Sequence, residues 1–237
     1  MKATRIIAVR HGETAWNVGN RVQGHLDIPL NSIGREQVTR LGQALASEAV
    51  EAIYASDLWR AWDTAHAIAS AAGSTSAKRV KIEEGLRERR LGAFEGKTFT
   101  EIEALWPDAS RRWRQREPDF APNEGGESLL AFRERVLEAL NRLAAEHVGS
   151  QIILVAHGGV MDVLYRHATG QDLQAKRTWA LGNAAINRLL WSEQSLALVG
   201  WADTQHLDNM AEAALAADDA SVDAVLSSTM PPATSAA

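Results

Sequence analysis

Three short runs of uninterrupted apolar residues punctuate the chain: Ile6-Ile7-Ala8-Val9, Ala52-Ile53-Tyr54-Ala55 and Ile152-Ile153-Leu154-Val155-Ala156. Short runs of this kind, without polar alternation, predict strands covered on both faces. A weaker strand is expected around residues 80–83. Between the runs, apolar residues recur at helical spacing: Val38, Leu41 and Leu45; Ala61, Ala65 and Ile68; and Leu129, Phe132, Val136, Leu140 and Leu143. Ser56-Asp57 and Glu127-Ser128 read as caps for the helices that follow them. Near the end, the apolar-rich runs 185–191 and 196–200 flank Ser192-Glu193-Gln194-Ser195, which predicts a closing hairpin. Strands alternating with helices specify an α/β three-layer sandwich, a mostly parallel central sheet with helices on both faces and a C-terminal hairpin.

Residues 95–126 break this rhythm with polar, Arg-rich text and scattered Pro, and are expected to form an insertion over one edge of the sheet. Residues 1–210 form the expected domain. Residues 211–237 are Ala-rich, with four acidic and no basic side chains, and read as a flexible tail. Net charge is −5, and removing the tail leaves the rest close to neutral, so no nucleic-acid track is expected. Of 25 basic residues, 11 fall between Lys78 and Glu117, so an anion-binding surface is expected near that stretch. The chain has no Cys, which excludes a disulfide scaffold and a thiol nucleophile. No stretch has the length of a membrane span, and the four-residue apolar run near Met1 is too short for a signal peptide, so a cytoplasmic protein is expected. Eight of the 14 aromatic residues are Trp, and core packing is the simplest reading of them; the Trp59/Trp62 pair reads as helix packing.

Functional residues of an open parallel sheet collect beyond the carboxyl ends of its strands. The first apolar run leads into Arg10-His11-Gly12-Glu13-Thr14, and the second into Ser56-Asp57-Leu58-Trp59-Arg60. The expected third strand leads into Leu86-Arg87-Glu88, and the last into His157-Gly158-Gly159. Two Arg, two His and a Glu are thereby delivered to one rim. Arg forks suit phosphate oxygens, and a helix start adds backbone N–H groups. A neutral imidazole can attack phosphorus, and a carboxyl group can protonate the departing alkoxide. Neither an HExxH motif nor a phosphate-binding GxxxxGK loop is present, and the chemistry requires no metal or other cofactor.

The ordered motifs resemble the histidine phosphatase superfamily, the phosphoglycerate mutase-like proteins. They are Arg10-His11-Gly12-Glu13-Thr14 with Trp16-Asn17; residues 21–31 with Gly34; Ser56-Asp57-Leu58-x-Arg60-Ala61; Leu86-Arg87-Glu88 with Leu91-Gly92 and Glu95-Gly96; Gly126-Glu127-Ser128; and His157-Gly158-Gly159. The resemblance implies His11 as the phosphorylated nucleophile, Arg10 and Arg60 as phosphate clamps, His157 as the second imidazole and Glu88 as proton donor. It also implies Asn17, Gln23 and Gly24 at the phosphate and substrate mouth, with Gly158 opening the helix beside them. His25 has two readings, a substrate contact or an ordinary loop histidine, and His66, His147, His167 and His206 read as structural. Arg111, Arg112, Arg114 and Arg116 have two readings, a lid that grips a substrate anion or a solvated helix face.

The implied activity is a metal-independent phosphomonoesterase that acts through phosphohistidine on a small phosphorylated metabolite. A cofactor-dependent phosphoglycerate mutase is the alternative, and an idle phospho-ligand-binding module is less favoured because no catalytic position is substituted. Residues 89–96 after Glu88, and Val160 after His157-Gly158-Gly159, resemble the phosphatase branch. Monomer and homodimer are both open.

Overall fold

The computed structural model describes residues 2–72 and 80–210, so the expected tail lies outside the described residues. The family-like region is one compact unit through Thr204. A second unit begins at Gln205, and its described part is a short 3-10 turn over Gln205–Leu207.

Among the described residues of the first unit, the strands are β1 (Thr4–Arg10), β2 (Ala52–Ala55), β3 (Val80–Ile82), β4 (Gln151–Ala156), β5 (Ile186–Ser192) and β6 (Ser195–Asp203). They form one mixed sheet in the order β3-β2-β4-β1-β5-β6. The first four are parallel to one another, and the closing hairpin adds β5 antiparallel to β1 and β6 antiparallel to β5. All six residues of β4 are buried, as expected of a central strand with helices on both faces. The β1–β4 register pairs Arg10 with Ala156. His11 and His157, the next residue on each strand, therefore leave the sheet at the same level.

Helices α6 (Leu129–Glu146) and α7 (Gly158–Thr169) cover one face, where Phe132, Val136, Leu140 and Leu143 pack with Ile6, Ala8, Ile152 and Leu154. Full burial of each such large side chain stabilises the fold by roughly 1.5–3 kcal/mol. Successive strand residues alternate in direction, so Ile7, Val9, Ile153 and Val155 face the opposite layer. A single turn, α1 (Ala15–Val18), follows β1, and that layer is α2 (Ser32–Leu45) and α3 (Trp59–Ala71), which pack on each other, with α3 against β2 and β4. Gly42 permits their close approach, since a Cβ there would stand 2.7 Å from the Ala67 carbonyl oxygen.

Two expectations are corrected. Ser128 does cap α6, accepting from the Ala131 N–H, but α3 has Leu58 at its N-cap without a side-chain bond. Ser56 accepts from the Leu58 N–H inside the preceding turn, and Asp57 is turned toward Arg87, which donates to it at 2.7 Å. The Trp residues are not mainly core: Trp191 alone is buried, and Trp59 is 58% exposed. In the insertion, helices α4 (Phe99–Leu105) and α5 (Pro107–Arg114) build a small core of their own, with Phe94, Ile102 and Phe120 packed by Trp106 and Trp113. Thr98 and Glu101 start α4 with reciprocal cap bonds, and Pro107 starts α5.

Candidate active site

The turn after β1 carries His11, and its Nδ1 lies 2.7 Å from the Gly12 carbonyl oxygen. A carbonyl only accepts, so Nδ1 carries the proton and Nε2 keeps the lone pair. Burial, reinforced by the Arg60 and Arg10 charges, holds the His11 pKa well below the ordinary histidine value, so the ring stays neutral. His157 is fully buried with its ring centroid 5.2 Å from that of His11. Its pKa is likewise held well down by burial and by Arg60.

Arg60, in the first turn of α3, is fully buried and donates to the carbonyls of Leu26 at 2.9 Å and Gly24 at 2.8 Å. Burial lowers its pKa to about 10, so it remains a cation at neutral pH. Arg10 donates to the Leu181 carbonyl and packs against Gly158. These anchors leave four buried nitrogens without a hydrogen-bond partner: Nε of Arg10, Nε of Arg60, and both ring nitrogens of His157. Buried polar atoms are nearly always paired, and unpaired ones gathered at a single place mark a ligand position. An oxyanion bearing two charges fits this set.

Glu88 stands between two backbone donors, accepting from the Arg89 N–H at 2.7 Å and from the Gly159 N–H at 3.0 Å. A Cβ on Gly159 would lie 2.2 Å from Glu88 Oε1, so any larger residue here would push the carboxyl group from its place. The helix start thus uses the Gly159 N–H to fix the carboxyl group rather than to meet an anion. His25 anchors its loop, its Nε2 donating to the Glu88 carbonyl oxygen at 2.8 Å. The loop carrying His25 is held by Glu95, whose Oε1 accepts from the His25 N–H at 3.1 Å and the Leu91 N–H at 2.8 Å. Gly24, at φ +50°, lets this loop turn against Glu95.

A cavity of about 580 Å³ opens beside these groups, and Arg10, Asn17, Glu88 and Gly158 line it. His11, Arg60 and His157 are buried and do not themselves line it. Asn17 Oδ1 is engaged by the Thr14 N–H at 3.0 Å and by Asn183 Nδ2 at 3.3 Å, which leaves its amide donors for the cavity. Gln23 and Gly24 do not line this cavity, and Gly24 acts through the carbonyl that holds Arg60. Arg111, Arg112 and Arg114 are exposed and face Gln115, Glu117 and Glu103, the solvated-face reading. Arg116 alone of that series lines the cavity, at φ +54° and donating to Asp162 at 2.7 Å.

Sequence reasoning missed Asn183, Asp162, Arg177 and Arg89 in this lining. Asp162 could have been found from its spacing, four residues after Gly158 on one helix face. Arg177 and Asn183 lie in the irregular segment before β5, which has no periodicity to read. The expected structural roles fit His147, buried against the Tyr54 hydroxyl at 2.9 Å, and His66, whose Nδ1 lies 2.9 Å from the Trp62 carbonyl oxygen. Among the described residues, no group of three or more His, Cys, Asp or Glu could hold a metal ion, and no helix is long and apolar enough to cross a membrane.

The family model for the histidine phosphatase superfamily (branch 1) matches residues 6–204. Phosphoglycerate mutase-like protein 4 of Arabidopsis thaliana is 36% identical over 205 residues, 86% of each chain. The metal-independent phosphoserine phosphatase of the same plant is 33% identical over 210 residues, covering 88% of this chain and 85% of that one. The structure of a mycobacterial glucosyl-3-phosphoglycerate phosphatase complexed with VO3 matches with a TM-score of 0.72 at 31% identity, covering 84% of this chain and 99% of that one. The motifs, the paired imidazoles beyond β1 and β4, and a family match spanning nearly the whole first unit agree: this chain belongs to the histidine phosphatase superfamily.

Proposed function

We propose that this chain is a metal-independent phosphomonoesterase that forms a phosphohistidine on His11 and acts on a small phosphorylated metabolite. The observation that carries the reading is the set of four unpartnered buried nitrogens, on Arg10, Arg60 and His157, beside the unprotonated Nε2 of His11. Donors held in place before substrate arrives stabilise developing charge without reorganisation. In the first step Nε2 attacks phosphorus, the ester P–O bond breaks, and protonated Glu88 gives its proton to the leaving oxygen. In the second step Glu88 takes a proton from water, the hydroxide adds to phosphorus, and the P–N bond breaks to free inorganic phosphate and neutral His11. The neutral state of both imidazoles suits this sequence, since a protonated His11 has no lone pair to offer.

The mutase reading uses the same first step and returns the phosphoryl group to another hydroxyl. It draws support from the mutase-like relative. Hydrolysis is favoured here by the polar insertion with Pro107, Pro118 and Pro122, which borders a cavity open to water. The test is phosphate release from a panel of phosphomonoesters without any bisphosphorylated primer. Release from at least one substrate at several turnovers per second supports the reading. Phosphoglycerate isomerisation that depends on 2,3-bisphosphoglycerate and outruns phosphate release contradicts it.

A further inference from the structure

Glu88 gives the proton in the chemistry above, yet residues 87–91, which carry it, form neither helix nor strand. Its carboxyl group is aimed by two backbone N–H groups, so it is only as fixed as the backbone of its own segment. One side chain of α6 holds that backbone. Arg135, in the second turn of the helix, turns its guanidinium onto the carbonyl oxygens of Glu84, Gly85, Arg87 and Glu88, at 3.4, 2.9, 3.2 and 3.3 Å. Carbonyls at the end of the 3-10 turn Glu84–Leu86 and in the irregular chain after it have no ladder to join, and a fork of donors satisfies them together. The opposite edge of the guanidinium donates to both carboxylate oxygens of Glu127, from Nε at 2.9 Å and from Nη2 at 2.8 Å. Glu127 meets the same segment twice more. Its N–H donates to the Arg90 carbonyl at 2.8 Å, and its carbonyl accepts from Arg89 Nε at 2.8 Å. Gly85 lies so close to α6 that a Cβ there would stand 2.6 Å from that of Ala139. Neither Arg135 nor Glu127 lines the substrate cavity; Arg135 and His25 line a second cavity of about 310 Å³ with Arg87 and Arg142.

We propose that Arg135, with Glu127 as its counter-ion, is the positioning residue for the proton donor: its guanidinium fixes the backbone of residues 84–88 so that the Glu88 carboxyl group stays at the leaving oxygen. The inference rests on the phosphomonoesterase reading and extends it to how the acid is held. Arg135 acts on the reaction through Glu88 and not by touching substrate. Its planar fork matters as well as its charge, since a guanidinium spans several carbonyls and both oxygens of a carboxylate at once, whereas an ammonium is a point charge. Lysine at this position keeps the charge and loses the geometry.

The experiment measures single-turnover phosphorylation in wild type, Arg135→Ala, Arg135→Lys, Glu88→Ala and the double variant Arg135→Lys/Glu88→Ala. The substrates are p-nitrophenyl phosphate and whichever of 3-phosphoglycerate and glycerol 3-phosphate wild type turns over faster. Arg135→Ala is expected to slow transfer from the alkyl phosphate about 10–100-fold, the cost of a misplaced catalytic group. Transfer from p-nitrophenyl phosphate, whose leaving group needs little proton help, should slow less than about threefold. Arg135→Lys should lose about tenfold on the alkyl phosphate, and it carries the test where Arg135→Ala fails to fold. In the Glu88→Ala background the same Lys substitution should cost less than about twofold, because a residue acting only through Glu88 has nothing left to position. The Gly159 amide proton, accepted by Glu88 Oε2 at 3.0 Å, reports the carboxyl group without turnover. Its resonance is expected to move in Arg135→Lys toward its place in Glu88→Ala. Equal losses for the two leaving groups, or losses that add in the double variant, would overturn the proposal. A Gly159 resonance that moves as expected, with no phosphate release from any substrate by wild type, contradicts the phosphomonoesterase alone. Normal wild-type turnover with an unmoved Gly159 resonance and additive losses contradicts the role of Arg135 alone.

Discussion

The inner pocket and the outer wall of the cavity are built by different means. Arg10, His11, Arg60 and His157 come from the ends of β1 and β4 and the first turn of α3, and are aimed largely by backbone carbonyls, those of Gly12, Gly24, Leu26 and Leu181. The outer wall takes Phe99, Trp113 and Arg116 from the insertion and Arg177 from the segment before β5. There Arg116 is held by Asp162 and a positive-φ backbone, and Phe99 is 54% exposed. A sheet holds catalytic groups rigidly, whereas loops and short helices change without disturbing the main core. One rim can therefore keep its chemistry while the wall above it changes substrate.

The comparison breaks most readily at the inner pocket. Arg60→Ala removes a buried cation together with the donors that hold Gly24 and Leu26, and kcat/KM should fall about 10²–10³-fold, as for loss of a fixed charge-stabilising donor. Steady-state kinetics on a correctly folded variant checks this, and a loss under tenfold would move Arg60 out of the phosphate site. Gly159→Ala should follow closely. Its new Cβ would lie 2.2 Å from Glu88 Oε1, so the carboxyl group must shift and that oxygen leave the Arg89 N–H. Phosphoryl transfer from alkyl phosphates should slow by about 10²-fold, and much less from p-nitrophenyl phosphate, whose leaving group needs little proton help. Equal losses in single-turnover measurements would remove Glu88 from the acid role.

A smaller effect concerns stability. His11 and His157 are held neutral in the folded chain, whereas both protonate near the ordinary value of 6.5 when unfolded. Below that pH the unfolded state binds more protons, so stability falls as pH drops from about 6.5, at about 1.4 kcal/mol per pH unit for each ring. Denaturant midpoints at pH 7 and pH 5.5 should show this loss, and His157→Gln should reduce it. A flat profile would place the rings in contact with water. The smallest effect belongs to the surface of the insertion. Arg111→Ala and Arg114→Ala remove exposed side chains paired with Gln115 and Glu103, and should change kcat/KM by less than about twofold.

The same division explains what was legible in the sequence. The runs forming β1, β2 and β4 are continuous and apolar because both faces of the sheet are covered, and the residues after them are the site residues because parallel strands end on one rim. The helical spacing of α6 likewise reads directly as its buried face. The Leu58 cap was hidden because Ser56 and Asp57, good capping residues by type, are taken by a local turn and by Arg87. Placement of the insertion depended on Phe94, Ile102 and Phe120 finding each other, a contact no local period encodes. The anchor that His25 makes was hidden because its partner, the Glu88 carbonyl, lies 63 residues away. Among the Arg-rich series, Arg116 differs from its neighbours through a backbone turn and a distant acid, neither visible in residue type.

The central claim is a covalent bond between His11 Nε2 and phosphorus, made possible by a ring whose proton sits on Nδ1. Its most direct test is rapid quenching of the wild-type protein in base during turnover of a 32P-labelled substrate, followed by peptide mapping. The account predicts acid-labile, base-stable label on the peptide containing His11, formed and lost at rates matching turnover, and no label in His11→Asn. Full turnover without label on that peptide, or label and activity that survive in His11→Asn, would contradict it.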